Sequence, residues 1–108
     1  MKIVVISDTH EQHRYLPDIS GDILIHAGDG ANSKSASVNN NPMRDCLTWI
    51  ESLDFKLRIY VPGNHDTSIE KGYIKPWEFP GIKFLIHDSL EFNGLKIFGS
   101  PYTLSFGS

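Results

Sequence analysis

A single cysteine, Cys46, among 108 residues makes an internal disulfide impossible, which fits a reducing compartment rather than a secreted, stapled scaffold. The sequence also lacks a charged-then-apolar leader and any apolar run long enough to span a bilayer. The expected setting is therefore cytoplasmic, with no membrane partner. Basic residues are in the minority: ten Lys and Arg stand against thirteen Asp and Glu, for a net charge of −3. They are scattered rather than clustered, so the electrostatic footprint of a protein that tracks a polyanionic backbone is missing and nucleic acid is not the expected partner. Internal repeats and interdomain linkers are absent as well. A length of 108 residues with 40% hydrophobic content suits one small globular domain, spanning residues 1–108.

Three apolar runs that end abruptly in metal-binding side chains dominate what is present. Ile3-Val4-Val5-Ile6 leads into Asp8-Thr9-His10, Ile23-Leu24-Ile25 into Gly28-Asp29, and Ile59-Tyr60-Val61 into Gly63-Asn64-His65-Asp66. Apolar first and polar last, three times, is the pattern of a parallel sheet whose strands all deliver side chains to one carboxyl edge, where open α/β sheets place their sites.

The rest of the chain reads around those strands. Lys2 to Ile6 and Asp22 to His26 are β-branched runs without polar alternation, predicting strands buried on both faces. Gly30 to Asn41 is rich in Ser, Asn, Ala, Gly and Lys and predicts an exposed loop. Asn41 is a candidate cap with Pro42 in the first turn, and Met43, Cys46, Leu47, Ile50 and Leu53 share a helical face, predicting a helix from Pro42 to Leu53. Leu57 to Val61 and Lys83 to His87 read as strands, with a helical turn at Ser68 to Tyr73 between them. Leu90 to Phe92 and Leu95 to Phe98 flank Asn93-Gly94, the dipeptide suited to a two-residue type I′ hairpin.

Each candidate ligand also has an ordinary explanation. Asp8 alone reads as a cap, His10 as an exposed loop residue, and Gly28-Asp29 as a common turn. Gly63-Asn64-His65-Asp66 is harder to explain by turn chemistry, which needs Gly and Asn but not a following His and Asp. The three together point to a dinuclear centre. Two divalent cations about 3.5–4 Å apart clamp a phosphoryl oxygen and activate water, and holding both requires a bridging carboxylate. Asp29 is the candidate bridge. Asp8 and His10 can converge on one ion, and their mixture of hard oxygen and borderline nitrogen suits Mn²⁺, Fe or Zn²⁺ better than Ca²⁺. Asn64 offers a neutral oxygen to the second ion, and His65 can serve as a general acid on the leaving group. Surface or packing roles fit the remaining candidates: His13 at the surface, His26 as a hydrogen-bonded residue in a buried strand that could support the site, and Trp49, Trp77, Phe79 and Phe84 in the core or hairpin. Asp66 reads equally as a loop hydrogen-bonding group or as an orienter of its neighbours.

Asp8-x-His10, Gly28-Asp29 and Gly63-Asn64-His65-Asp66 resemble the first three motifs of the calcineurin-like metallophosphoesterase superfamily. Ser7-Asp8-Thr9-His10, the run from Asp22 to Asp29 and the run from Gly94 to Pro101 are similar to the branch of metallophosphoesterase-domain-containing proteins. The resemblance implies an α/β fold with four layers, α/β/β/α, and hydrolysis of phosphomonoesters or phosphodiesters at a centre of two divalent ions. It implies Asp8, His10 and Asp29 on the first metal, Asp29 and Asn64 on the second, and catalytic roles for Asn64 and His65. It also implies further histidines, including a Gly-His-x-His, that these 108 residues do not contain. The chain is thus expected to correspond to the N-terminal half of such a domain. Two readings follow: a metallophosphoesterase acting on a phosphate-ester substrate, or a catalytically weak metal-binding module. With half a sheet unaccompanied, apolar surface along Leu90 to Phe98 is expected to favour association.

Overall fold

Dense β-branched and aliphatic residues build the first sheet. The computed structural model describes residues 1–7, 19–28, 36–62, 74–86, 88–100 and 103–107, with backbone alone at 36–40, 100 and 103–107. Strands β1 (Ile3–Ile6), β2 (Ser20–His26), β3 (Asp54–Tyr60) and β4 (Lys83–Phe84) lie side by side in chain order, every neighbouring pair parallel. Helix α1 (Ala36–Ser52) crosses from β2 to β3. A second, antiparallel sheet follows: β5 (Asp88–Phe92), β6 (Leu95–Ser100) and β7 (Thr103–Gly107), in that order.

Alternate residues of β2 serve two different cores. Leu24 faces α1 and packs with Met43, Cys46, Leu47, Ile50 and Tyr60. Ile23 and Ile25 join Ile59, Val61, Leu85 and Ile97 in a cluster shared with the second sheet. Since both faces of β2 are covered, its central residues form an unbroken apolar run. Full burial of each such aliphatic side chain contributes roughly 1.5–3 kcal/mol. The order helix, sheet, sheet is that of an α/β/β/α sandwich, with three of its layers among the described residues.

Strand β1 departs from the expectation of burial on both faces. Val4 and Ile6 pack toward α1, but Ile3 and Val5 are 37% and 50% exposed. They register with Ile23 and Ile25, yet the intersheet cluster includes no β1 residue. The sequence shows an apolar strand; it does not show how far the facing sheet reaches.

The helix also differs from its predicted bounds. It begins at Ala36 rather than Pro42, and residues 36–41, expected in a loop, are helical. Pro42 lacks the N–H that would bond the carbonyl four residues earlier and crowds that carbonyl with its ring, but the fully buried Met43, Cys46, Leu47 and Ile50 fix the helix from its middle. Arg44 pairs with Glu78, and Glu51 Oε2 accepts the Gly81 N–H at 2.9 Å. These contacts tie α1 to the segment containing a short 3-10 turn at Pro76–Glu78. Trp77, expected in the core or hairpin, instead stands 75% exposed on that turn. Phe79 is buried, and Trp49 and Phe84 are partly buried against the helix-side core.

The predicted fourth strand, Lys83 to His87, shortens to two residues. Leu85 still donates its N–H to the Tyr60 carbonyl at 3.1 Å, whereas Ile86 is exposed; His87 and the helical turn expected at Ser68 to Tyr73 lie outside the described residues. The hairpin forms as expected. Asn93 and Gly94 have φ of 50° and 83°, the positive pair that a type I′ turn requires. Within Leu90 to Phe98, Ile97 is buried, Leu90, Phe92 and Leu95 are partly buried, and Phe98 is 42% exposed.

Gly99 marks a close approach of the second sheet to the first. A Cβ there would sit 2.7 Å from Leu85 Cβ and 2.9 Å from Val61 Cγ2, so one methyl group would force the sheets apart. Gly99→Ala should lower unfolding free energy by about 1–3 kcal/mol, the usual cost of overpacking. Urea denaturation checks this, and a loss within about 0.5 kcal/mol, typical of neutral surface changes, would contradict it.

Candidate metal centre

The parallel strands end level with one another. Ile6 registers with His26, and His26 with Tyr60. One further rung extends past each end: Ala27 N–H donates to the Ile6 carbonyl at 2.8 Å, and Val61 N–H to the His26 carbonyl at 2.8 Å. Asp8 follows Ile6 by two residues, Asp29 follows His26 by three, and Asn64 follows Tyr60 by four. Asp8, His10, Asp29, Asn64 and His65 themselves, with His13 and Asp66, lie outside the described residues. Among the described residues, no group of three or more His, Cys, Asp or Glu could hold a metal ion.

The backbone turns at Gly28, the residue before Asp29 in sequence. Gly28 is buried and has φ of 98°, a conformation that side chains with a Cβ rarely adopt. Its N–H donates to His26 Nδ1 at 3.1 Å. His26 is fully buried, and its ring stacks on Tyr60 with centroids 4.8 Å apart and planes 24° from parallel. The Tyr60 hydroxyl donates to Met43 Sδ at 3.7 Å. Side chains from α1, β3 and β2 thus form one packed series beneath the turn that follows β2. The sequence marked His26 as a hydrogen-bonded residue of a buried strand, and its placement agrees. Its bond to Gly28 was not apparent, although a polar residue two positions before a turn glycine was the available signal.

The amino edge offers different chemistry. Asp22 accepts the Lys2 N–H at 2.7 Å and lies 3.3 Å from Lys56 Nζ, and these two contacts, the backbone bond foremost, hold its carboxyl below the usual carboxylate range. A cavity of about 280 Å³ at that edge is lined by Ile19, Ser20, Ser52, Leu53 and Asp54. With a single carboxylate and no imidazole, it lacks the donors a metal pair needs. The carboxyl edge is different: the candidate ligands that follow it in sequence are the carboxylates Asp8 and Asp29, the imidazole of His10 and the amide oxygen of Asn64, in addition to His65. That mixture fits divalent Mn, Fe or Zn.

The calcineurin-like phosphoesterase family matches residues 1–107. A UPF0046 protein of Caenorhabditis elegans is 33% identical over 94% of this chain and 41% of its own length. Human metallophosphoesterase domain-containing protein 1 is 24% identical over 94% of this chain and 37% of its own. A probable rhamnogalacturonate lyase C of Emericella nidulans is 32% identical over the whole chain but only 11% of its own length. The chain therefore spans less than half of each of these relatives.

Gly28→Ala should be costly because alanine must either adopt the strained φ or move the turn. The expected loss is about 1–3 kcal/mol, read by chemical denaturation. Wild-type stability in the variant would show that the positive φ is not required.

Proposed function

The chain belongs to the calcineurin-like phosphoesterase family, and on that premise we propose that it hydrolyses a phosphomonoester or phosphodiester at two divalent ions, with Mn²⁺ the favoured metal. Calcineurin-like phosphoesterases use dinuclear divalent centres, and a phosphate-ester substrate follows from the family. The observation that carries the reading is the level ending of β1, β2 and β3, from which the three motifs depart within a few residues. Bound there, a cation pair supplies the charge neutralisation and water activation that phosphoester hydrolysis needs.

The residues divide the work by chemistry. Asp8 and His10 hold the first ion together with Asp29, whose two carboxylate oxygens allow it to serve both ions. Asn64 gives its amide oxygen to the second ion without adding charge. His65 is the general acid, its imidazole being the side-chain type able to hold a proton near neutral pH and deliver it to the departing oxygen. A cytoplasmic location accords with the lone cysteine, and the helices of the described residues include none long and apolar enough to cross a membrane. Association of copies, expected along Leu90 to Phe98, would rest there on Phe98, since Ile97 is buried and Leu90, Phe92 and Leu95 are partly buried.

Two substitutions separate these roles. Asp29→Asn removes the charge that lets two cations sit side by side, so metal content and turnover should fall together. His65→Ala should leave metal content intact while turnover falls by about 10²–10⁴-fold, the usual worth of a positioned acid. That loss should shrink for p-nitrophenyl esters, whose leaving group needs little protonation. Equal losses for good and poor leaving groups at constant metal content would instead make His65 a phosphate-positioning residue.

A further inference from the structure

We propose that His26 is a positioning residue for the turn that delivers Asp29, acting through the acceptor bond of its Nδ1 to the Gly28 amide. The proposal rests on the reading of Asp29 as a metal ligand. Its physical basis is the distribution of backbone hydrogen bonds where β2 ends. Ala27 N–H still belongs to the sheet, donating to Ile6. Gly28 N–H does not; at φ of 98° the chain has turned away from the ladder, and this buried donor is satisfied by the His26 ring at 3.1 Å. A buried amide without a partner is destabilising, so the ring nitrogen selects the turn geometry in which that amide faces inward.

The ring is itself held in place. Stacking on Tyr60 at 4.8 Å and 24° sets its plane, and Tyr60 is in turn fixed by register with His26 and by its hydroxyl bond to Met43 Sδ. An imidazole nitrogen that accepts from a backbone N–H carries no proton, so the ring proton resides on Nε2. Phenylalanine keeps a flat ring, somewhat larger than imidazole, that can stack on Tyr60, but it could not accept from Gly28. Phenylalanine removes both ring nitrogens, and the loss that bears on the turn is that of Nδ1, whose effect reaches Asp29 through a single intervening residue. The role is comparable to that of groups outside a metal's ligand set that orient the ligands, whose loss commonly weakens metal binding by about 10–100-fold.

Three substitutions test the claim, with Mn²⁺ affinity by calorimetry as the readout. His26→Asn retains an acceptor at the δ position, His26→Gln moves it outward, and His26→Phe keeps the ring without an acceptor. The asparagine variant should bind Mn²⁺ within about threefold of wild type, while the other two lose roughly 10–100-fold. A space-filling role predicts the reverse order, and wild-type affinity in His26→Phe would overturn the proposal. Nitrogen-15 NMR of the metal-free wild type gives a second measurement that does not depend on any variant folding. It should show the proton on Nε2 and a Gly28 amide protected from exchange; a protonated Nδ1 or a freely exchanging Gly28 amide would overturn the proposal. Failure of the wild type to bind Mn²⁺ would instead overturn the reading of Asp29, leaving the metal-free measurement to decide the His26 contact.

Discussion

Parallel pairing brings Ile6, His26 and Tyr60 to a common level, and the chemistry proposed for this chain depends on that alignment. Three residues of a strand span roughly 10 Å, so a modest offset between strands would carry their outgoing loops beyond reach of a shared pair of ions. The register is held by side chains packed in the two cores. Ile23 and Ile25 point to one core while Leu24 points to the other, and a slip of one residue would exchange them. Packing in the two cores and alignment at the carboxyl edge are thus the same constraint seen from different places.

The two faces of the sheet contribute differently. On the α1 side, Met43, Tyr60 and His26 connect the helix to the turn after β2, so that core reaches directly toward the candidate site. On the other side, Ile97 and the absence of a side chain at Gly99 let the second sheet settle against Val61 and Leu85. Val61 is the residue after β3, and its N–H makes the last rung to His26. Close intersheet packing therefore bears on the strand end that leads to Asn64 and His65.

Much of this was legible in the sequence because the signals were local. Unbroken apolar runs rich in β-branched residues identified β1 and β2, the short run Ile59-Tyr60-Val61 marked the end of β3, and Asn93-Gly94 identified the hairpin from the one turn type that asks positive φ of both residues. Where the outcome depended on distant contacts, the sequence was silent or misleading. Pro42 resembled a helix start because proline is favoured in a first turn, but buried residues after it sustain a helix through it. Ile3 and Val5 resembled buried residues because apolar composition does not reveal the edge of a facing sheet. Strand β7 went unread: Thr103–Gly107 is short and gains its ladder only by pairing with β6. The candidate ligands were legible as motifs, whereas the His26 support for Gly28 needed coordinates, since nothing in His26-Ala27-Gly28 states which way a ring nitrogen points.

Titration of the metal-free protein with Mn²⁺ tests the central claim most directly, because it asks whether the three strand ends form one metal-binding edge. The proposal gives the first ion three ligands, Asp8, His10 and Asp29, and the second only two, Asp29 and Asn64. Calorimetry should therefore show a saturable, tighter first ion and a distinctly weaker second. No saturable binding, or two ions bound with equal affinity, would contradict the account.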